Sequence, residues 1–370
     1  MRALTPQENR TVGAAKVSIN GVDSGQITEI VSQMRKMKAG YVVYAPFETS
    51  GKISTFRVES LGKGRVSQQV VKKTDLSVND FTTYLSAAGQ PNADSLRERL
   101  RKEVVPENPR DNGKNVLFKD LALFGISPSV LGRTDDDILV ASDLPKAASN
   151  LKLLDSTNHA DANYVGIFGF PSTDAEYTAM FEGNGNVETL EKWRLHKAKA
   201  EDIAKTFDVH LIEVVEADAN AAKQKILRQF EQADGILFVI AHANGCRILL
   251  PGGGQISITP DDIANLNLAK NPFVVLRVCQ PSDHGFAKAF IQAGARGVWM
   301  NRGIIDAGIA TSQVEAFLKE IRSGKTIGKT IRGLRANDKV MKTSTHIVVQ
   351  EIRNGNIERS NSNTLDGVRR

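Results

Sequence analysis

Two apolar runs decide how this chain folds: GILFVIAH at residues 235–242 and FVVLRVC at residues 273–279. Each run is short, rich in β-branched residues and bounded by Gly, Asn or Pro, which is typical of strands covered on both faces of a parallel sheet. The segment between them is long enough for a hairpin and a crossover helix. If the strands are parallel and close together, their C-terminal ends bring His242 and Cys279 to one edge of the sheet, where open α/β sheets bind ligands.

A similar alternation of strand and helix signals runs from residue 156 to residue 338 and predicts a mainly parallel sheet with helices on both faces. The helix after the second strand has its apolar residues on one face, as a helix that covers a sheet does. Strands are expected at 164–170, 210–215, 235–242, 273–279 and 297–300, a hairpin over 247–258, and helices over 187–207, about 219–230, 283–293, 306–322 and 326–336.

The first 155 residues differ from the rest of the chain. Strand-like runs at 40–44 and 53–58, with a polar helix around 95–102, predict a smaller α+β region of unknown role. The polar, turn-rich stretch from Asp135 to Asp161 places the domain boundary near residue 155. Residues 339–370 are expected to form an edge strand, from about residue 345, and a polar tail.

The composition indicates the cellular compartment and argues against a metal or cofactor. The chain has 370 residues and only two cysteines, Cys246 and Cys279, which favours a reducing compartment over a disulfide framework. No apolar stretch approaches the roughly 18 to 20 residues of a membrane span, and the N-terminus lacks the apolar core of a signal peptide. The histidines and cysteines lack metal-ligand spacing. We therefore expect a cytoplasmic protein with no membrane partner, no metal and no cofactor.

The charge pattern argues against nucleic acid as a partner. The formal net charge is +6, but acidic residues interrupt the basic runs and no aromatic–basic pattern accompanies them. Solvated helix faces explain these runs more simply.

The order of motifs resembles the CHAT domain, a branch of the caspase-like clan CD cysteine peptidases, which also contains caspases, metacaspases and separase. In that family a strand ends in His-Gly, a later strand ends in Cys, and a Gly-Ala motif, a strand, an Asp and a helix with a glycine turn follow. The matching segments here are IAH at 240–242, VLRVC at 275–279, AGARGVW at 293–299, Asp306, and SGKTIGKTI at 323–331.

The resemblance implies a peptidase with a Cys/His dyad. Cys279 would be the nucleophile, His242 would take its proton, and no acidic orienting residue would be required. The backbone N–H groups of Cys279 and Ala243 would bind the oxyanion. The family's His-Gly is His-Ala here, and an alanine can supply that donor only if its backbone does not need a positive φ.

Two further residues are predicted to bind substrate. Side chains alternate along a strand, so Arg277 and Cys279 project to the same side, and in this family that position lines the pocket for the side chain preceding the cut. An arginine there suggests an acidic or strongly polar preference before the scissile bond; alternatively, Arg277 pairs with Asp283 or another acid. Asp306 is either a second pocket residue or simply the N-cap of the following helix.

The function implied by the family is a regulated protease of a bacterial immunity or cell-death system that cleaves specific partner proteins. Residues 1–155 would receive an activating partner or signal. The alternative is a caspase-like interaction module without catalysis, in which Cys279 is a small buried residue and His242 a satisfied strand-end histidine. Cys246 is expected to be structural, and His284 is a rival base.

Overall fold

The computed structural model describes residues 24–49, 52–73, 77, 114–118, 139–140, 144–181, 188–212, 218–244, 247–252, 256–279, 285–301, 305–337 and 345–348. The helix predicted around 95–102 lies outside these ranges, as do Cys246, Asp283 and His284.

The N-terminal region contains a five-stranded sheet and two helices, which agrees with the predicted α+β character. The strands are β1 (Tyr41–Thr49), β2 (Lys52–Gly62), β3 (Arg65–Lys73), β4 (Asn115–Phe118) and β5 (Leu139–Val140), in the order β3-β2-β1-β4-β5. The helices are α1 (Ser24–Arg35) and α2 (Leu144–Ser156). Strands β1, β2 and β3 pair antiparallel, whereas β4 pairs parallel with β1 and β5.

Helix α2 lies within the stretch that the sequence analysis interpreted as turn-rich and polar. Its described polar residues Ser149, Lys152 and Ser156 are exposed, while Leu144 and Leu154 are completely buried. The expected boundary at residue 155 therefore falls in the last turn of a helix that packs two leucines into a core.

The larger sheet is built around five parallel strands. They are β6 (Tyr164–Gly169), β7 (Val209–Leu211), β8 (Ile236–Asn244), β11 (Phe273–Arg277) and β12 (Gly297–Asn301), which lie in the order β7-β6-β8-β11-β12. An antiparallel strand, β13 (Thr345–Val348), pairs with β12. The end of β8 pairs with the predicted hairpin, formed by β9 (Arg247–Leu250) and β10 (Ile256–Ile258).

Seven helices connect these strands in the described part of the chain, and both faces of the sheet are covered. They are α3 (Asp174–Phe181), α4 (Leu190–Phe207), α5 (Ala219–Gln232), α6 (Pro260–Ala264), α7 (Phe286–Ala293), α8 (Ala307–Arg322) and α9 (Ile327–Asn337). Alternate residues of β8 belong to two different apolar clusters: Phe238 packs with residues of α4 and α8, and Val239 with residues of α5 and α7. The continuous apolar runs of the sequence thus follow from burial on both faces.

One apolar cluster extends across residue 155. Leu144 and Leu154 of α2 belong to the same cluster as Phe238 of β8 and Ile327 of α9, and α2 packs against both α1 and α9. The N-terminal region and the larger sheet therefore share a continuous core.

We expect Leu154→Ala to lower the free energy of unfolding of the whole chain by about 2–4 kcal/mol, because it leaves a cavity in this shared core. The neighbouring Leu153 is 42% exposed. Leu153→Ala is therefore the matched control, with little expected effect. Urea unfolding followed by tryptophan fluorescence measures both variants; equal, small effects would show that α2 is not part of the core.

Candidate active site

The parallel register of β8 and β11 sets the position of the two predicted catalytic residues. The strands pair residue by residue, ending with Arg277 beside Ile240. Cys279 follows β11 by two residues, and His242 lies near the end of the neighbouring strand β8. Both residues are therefore at the C-terminal edge of the parallel sheet, and their pairing as a dyad stays a prediction.

Cys279 lies half-buried just beyond β11, and its sulfur is held by backbone groups. The thiol donates a hydrogen bond to the carbonyl oxygen of Ile305, with an Sγ–O distance of 3.8 Å. Burial raises the pKa of the thiol, and a hydrogen bond from the backbone N–H of Ala243 opposes that rise. The sulfur is thus held as a protonated thiol near neutral pH.

Ala243 can supply a backbone N–H to an oxyanion only if its φ is not positive, and the structure meets this requirement. It lies in β8, where its N–H reaches the sulfur of Cys279, and it is not among the described residues with a positive φ. Glycine is therefore not needed at this position. An oxyanion donor at Ala243 is compatible with the backbone geometry.

The aromatic ring of Phe181 packs against the imidazole of His242. The two rings meet edge-on, with centroids 4.9 Å apart and planes at 72°, and Phe181 in turn stacks on Trp193 at 5.3 Å. No carboxylate of the described residues pairs with His242. Burial lowers the pKa of the imidazole, so the ring is neutral near neutral pH and able to accept a proton.

The sequence analysis did not identify Phe181 or Trp193 as part of the site. Phe181 ends α3 and Trp193 lies in the first turn of α4, so nothing local connects them to a strand end more than 40 residues away. Aromatic residues at such spacing indicate only the buried face of a helix.

Arg277 is the most unusual residue beneath the edge of the sheet. It is 1% exposed, and its guanidinium carbon lies 3.6 Å from the ring centroid of Trp299. Nη1 donates to the carbonyl oxygens of Leu276 and Trp299 at 3.2 and 3.3 Å. Burial lowers the pKa of Arg277 to about 9, which leaves it charged at neutral pH. The part of the chain that the structure describes contains no acidic partner for it.

Asp306 caps a helix. Its carboxylate accepts a hydrogen bond from the N–H of Ile309 at 2.9 Å at the start of α8, and the side chain is exposed. Asp306 is thus the N-cap of α8. It directly follows Ile305, whose carbonyl oxygen accepts the hydrogen bond from Cys279. A role for Asp306 in a substrate pocket stays a prediction.

The described ranges contain no group of three or more His, Cys, Asp and Glu residues able to hold a metal ion. None of the helices in those ranges is both long and apolar enough to span a bilayer.

Comparison with known proteins identifies the fold. No protein-family model matches the sequence, and no curated protein is significantly similar to it. The separase of Saccharomyces cerevisiae, solved in complex with securin, aligns with 88% of this chain at a TM-score of 0.51 and 8% identity. The fold is caspase-like. A complex of the pro- and mature domains of RgpB from Porphyromonas gingivalis aligns with 74% of this chain and 75% of that one, at a TM-score of 0.38 and 11% identity.

The chain spans only 31% of the length of the separase chain. The shared fold agrees with the caspase-like family predicted from the motifs, of which separase is a member. The assignment to the CHAT branch stays a prediction.

We expect Phe181→Ala to raise the pKa of His242 toward the ordinary value of 6.5, because water would reach the imidazole when the ring is removed. The histidine would then stay protonated to a higher pH than in the native protein. Titration of the imidazole by NMR, with His242→Gln to assign its signal, measures the shift. Phe181→Tyr keeps the ring and is the matched control; identical titrations of Phe181→Ala and the native protein would contradict the role of the ring.

Proposed function

We propose that the C-terminal half of this protein is a CHAT-type cysteine endopeptidase, a caspase-like three-layer sandwich that cleaves specific partner proteins with a dyad of His242 and Cys279. One observation carries the proposal. The register of β8 and β11 brings the thiol, the imidazole and the N–H of Ala243 to the same end of a parallel sheet.

The reaction follows from these groups. The thiol of Cys279 gives its proton to His242, and the resulting thiolate attacks the carbonyl carbon of the substrate peptide bond. The N–H groups of Cys279 and Ala243 stabilise the negative oxygen of the tetrahedral intermediate. The imidazolium then protonates the leaving amine, and the acyl group remains on sulfur. Water attacks the thioester after giving a proton to His242, and the carboxylic acid leaves as the proton returns to the thiol.

The observed hydrogen bonds correspond to a resting state. The thiol donates to the carbonyl of Ile305, and both members of the dyad are neutral near neutral pH. Catalysis requires the S–H bond of Cys279 to rotate away from the carbonyl of Ile305 and to point at His242. We propose that a partner or signal acting through residues 1–155 promotes this change, as expected of a regulated protease of a bacterial immunity or cell-death system.

Two features support regulation through the N-terminal region. The core shared across residue 155 gives that region a packed connection to the sheet that carries the dyad. The separase structure with the same fold is a complex with another protein, securin.

Arg277 and Asp306 are the proposed substrate contacts. Arg277 is charged, buried and without an acidic partner in the described ranges, so an acidic substrate side chain would supply the missing charge. Asp306 is exposed at the start of α8, one residue after the carbonyl that accepts the thiol proton.

The second candidate is a caspase-like interaction module without catalysis. The raised pKa of Cys279 favours it, because a buried thiol that donates to a carbonyl is a poor nucleophile.

Alkylation by iodoacetamide at pH 7 distinguishes the two candidates. We expect Cys279 to be modified at least about tenfold more slowly in His242→Ala than in the native protein, since the thiolate forms only when the imidazole takes the proton. Peptide mass spectrometry measures the rate, and Cys246 in the same molecule is the control. Equally slow modification of Cys279 in both proteins would support the interaction module.

We expect Arg277→Glu to change the preferred residue before the cut from acidic to basic, because the charge that faces the substrate is reversed. Cleavage of a peptide library measures the preference, and Arg277→Lys is the control that keeps the charge. Melting curves show that each variant is folded. A folded Arg277→Glu variant with the native preference would remove Arg277 from the pocket.

A further inference from the structure

A buried side chain from the neighbouring strand holds the peptide group that joins Val278 to Cys279. Asn301 is the last residue of β12, and its Nδ2 donates a hydrogen bond to the carbonyl oxygen of Val278 at 2.8 Å. Asn301 is 1% exposed, and Val278 is completely buried. The bond is therefore shielded from water, and it ties the end of β12 to the residue that precedes the proposed nucleophile.

The carbonyl of Val278 lies beyond the regular pairing of the two strands. Strand β11 ends at Arg277, and its pairing with β12 ends where Leu276 meets Met300. A buried carbonyl outside a strand ladder needs a side chain or a water molecule as its donor. Asn301 is that donor, whereas an apolar residue at the end of β12 could not serve.

The same bond fixes the direction of the N–H of Cys279. The carbonyl of Val278 and this N–H belong to one planar peptide group, and in a trans peptide they point in opposite directions. No cis peptide bond occurs among the described residues. Strand β11 lies between β8 and β12, and the carbonyl points to Asn301 on β12. The N–H of Cys279 therefore points toward the side of β8.

Strand β8 supplies a second donor on that side. The N–H of Ala243 reaches the sulfur of Cys279, and Ala243 directly follows His242. Two backbone N–H groups, one from each of two neighbouring segments, thus face the space beside the sulfur. Donors fixed in this way stabilise the negative oxygen of a tetrahedral intermediate, because they need no reorientation as the charge develops.

The hydrogen bond from Asn301 also strengthens the N–H of Cys279 as a donor. A carbonyl that accepts a hydrogen bond polarises its peptide group, and linked hydrogen bonds strengthen one another by about 10–30% in a low-dielectric interior. The side chain of Asn301 therefore affects both the direction and the strength of this donor.

We propose that Asn301 is a positioning residue for the oxyanion site. Its amide holds the peptide group between Val278 and Cys279 so that the N–H of Cys279 faces the oxygen that becomes negative. This inference rests on the proposed peptidase function. Asn301 acts through the peptide group and does not touch the substrate. The alternative is a purely structural bond that satisfies a buried carbonyl, and both roles predict a lower melting temperature when the amide is removed.

An aldehyde and an alkylating agent distinguish the two roles. When Cys279 adds to a peptide aldehyde, a bond forms between sulfur and the carbonyl carbon, and the electron pair of the C=O bond moves to oxygen. That oxygen is held by the N–H groups or takes the proton that His242 received from the thiol. Iodoacetamide reacts at a saturated carbon, from which iodide leaves with its electron pair, and no oxyanion forms. Only the aldehyde therefore needs the N–H of Cys279.

Asn301→Leu removes the amide and keeps a side chain of similar shape. In the full chain we expect it to weaken binding of the aldehyde at least about tenfold, while iodoacetamide alone alkylates Cys279 within about twofold of the native rate. The probes are N-acetyl tetrapeptide aldehydes that end in Asp, Glu, Arg or Leu, and the tightest of them is used for the comparison. Protection of Cys279 from iodoacetamide, measured by peptide mass spectrometry, gives the affinity.

Tyr164→Phe is the matched control. The hydroxyl of Tyr164 donates to the carbonyl oxygen of His159 at 2.7 Å, and Tyr164 is 2% exposed at the start of β6, at the opposite edge of the same sheet. Its loss should lower the melting temperature and leave the aldehyde affinity at the native value. An equal loss of affinity in Tyr164→Phe would show that the effect follows from stability alone, and would overturn the proposal.

Two further outcomes would also overturn it. One is an unchanged aldehyde affinity in an Asn301→Leu variant that melts at a lower temperature, which would leave a structural bond only. The other is a native protein in which none of the aldehydes protects Cys279.

Failure of the dyad is a separate result. Equal alkylation of Cys279 in His242→Ala and in the native protein would reject the dyad, while an aldehyde affinity that depends on Asn301 would still support the oxyanion site. Alkylation that depends on His242, with an aldehyde affinity independent of Asn301, would reject this inference and keep the dyad.

Discussion

The parallel register between β8 and β11 is the constraint on which the rest of the site depends. Because Arg277 pairs with Ile240, the segments that carry Cys279 and His242 leave the sheet at the same edge. A shift of one residue would send one of the two side chains to the opposite face of the sheet. The register is maintained by burial on both sides, since alternate residues of β8 pack into separate apolar clusters.

Burial acts on the two residues of the proposed dyad in a way that would oppose catalysis. It raises the pKa of Cys279 and lowers that of His242, so both groups are neutral and the thiol donates to a backbone carbonyl. A neutral pair is inexpensive to bury, whereas a thiolate–imidazolium pair needs donors that compensate for lost hydration. Ala243 supplies one such donor at the sulfur.

The aromatic contact of His242 and the buried polar side chains of the core have opposite effects on stability. Phe181 orients the imidazole through packing alone and adds to the core. Arg277 and Gln313 weaken the core, since their buried donors lack partners in the described ranges.

The sequence by itself determined the parallel strands, their order along the chain and the arrival of His242 and Cys279 at strand ends. These features follow from local periodicity and from residues adjacent in sequence. Only the tertiary structure decided that α2 forms within a polar stretch, that Phe181 meets His242, and that the guanidinium of Arg277 stacks on Trp299. The physical reason is that these contacts connect elements far apart in sequence, so no local pattern encodes them.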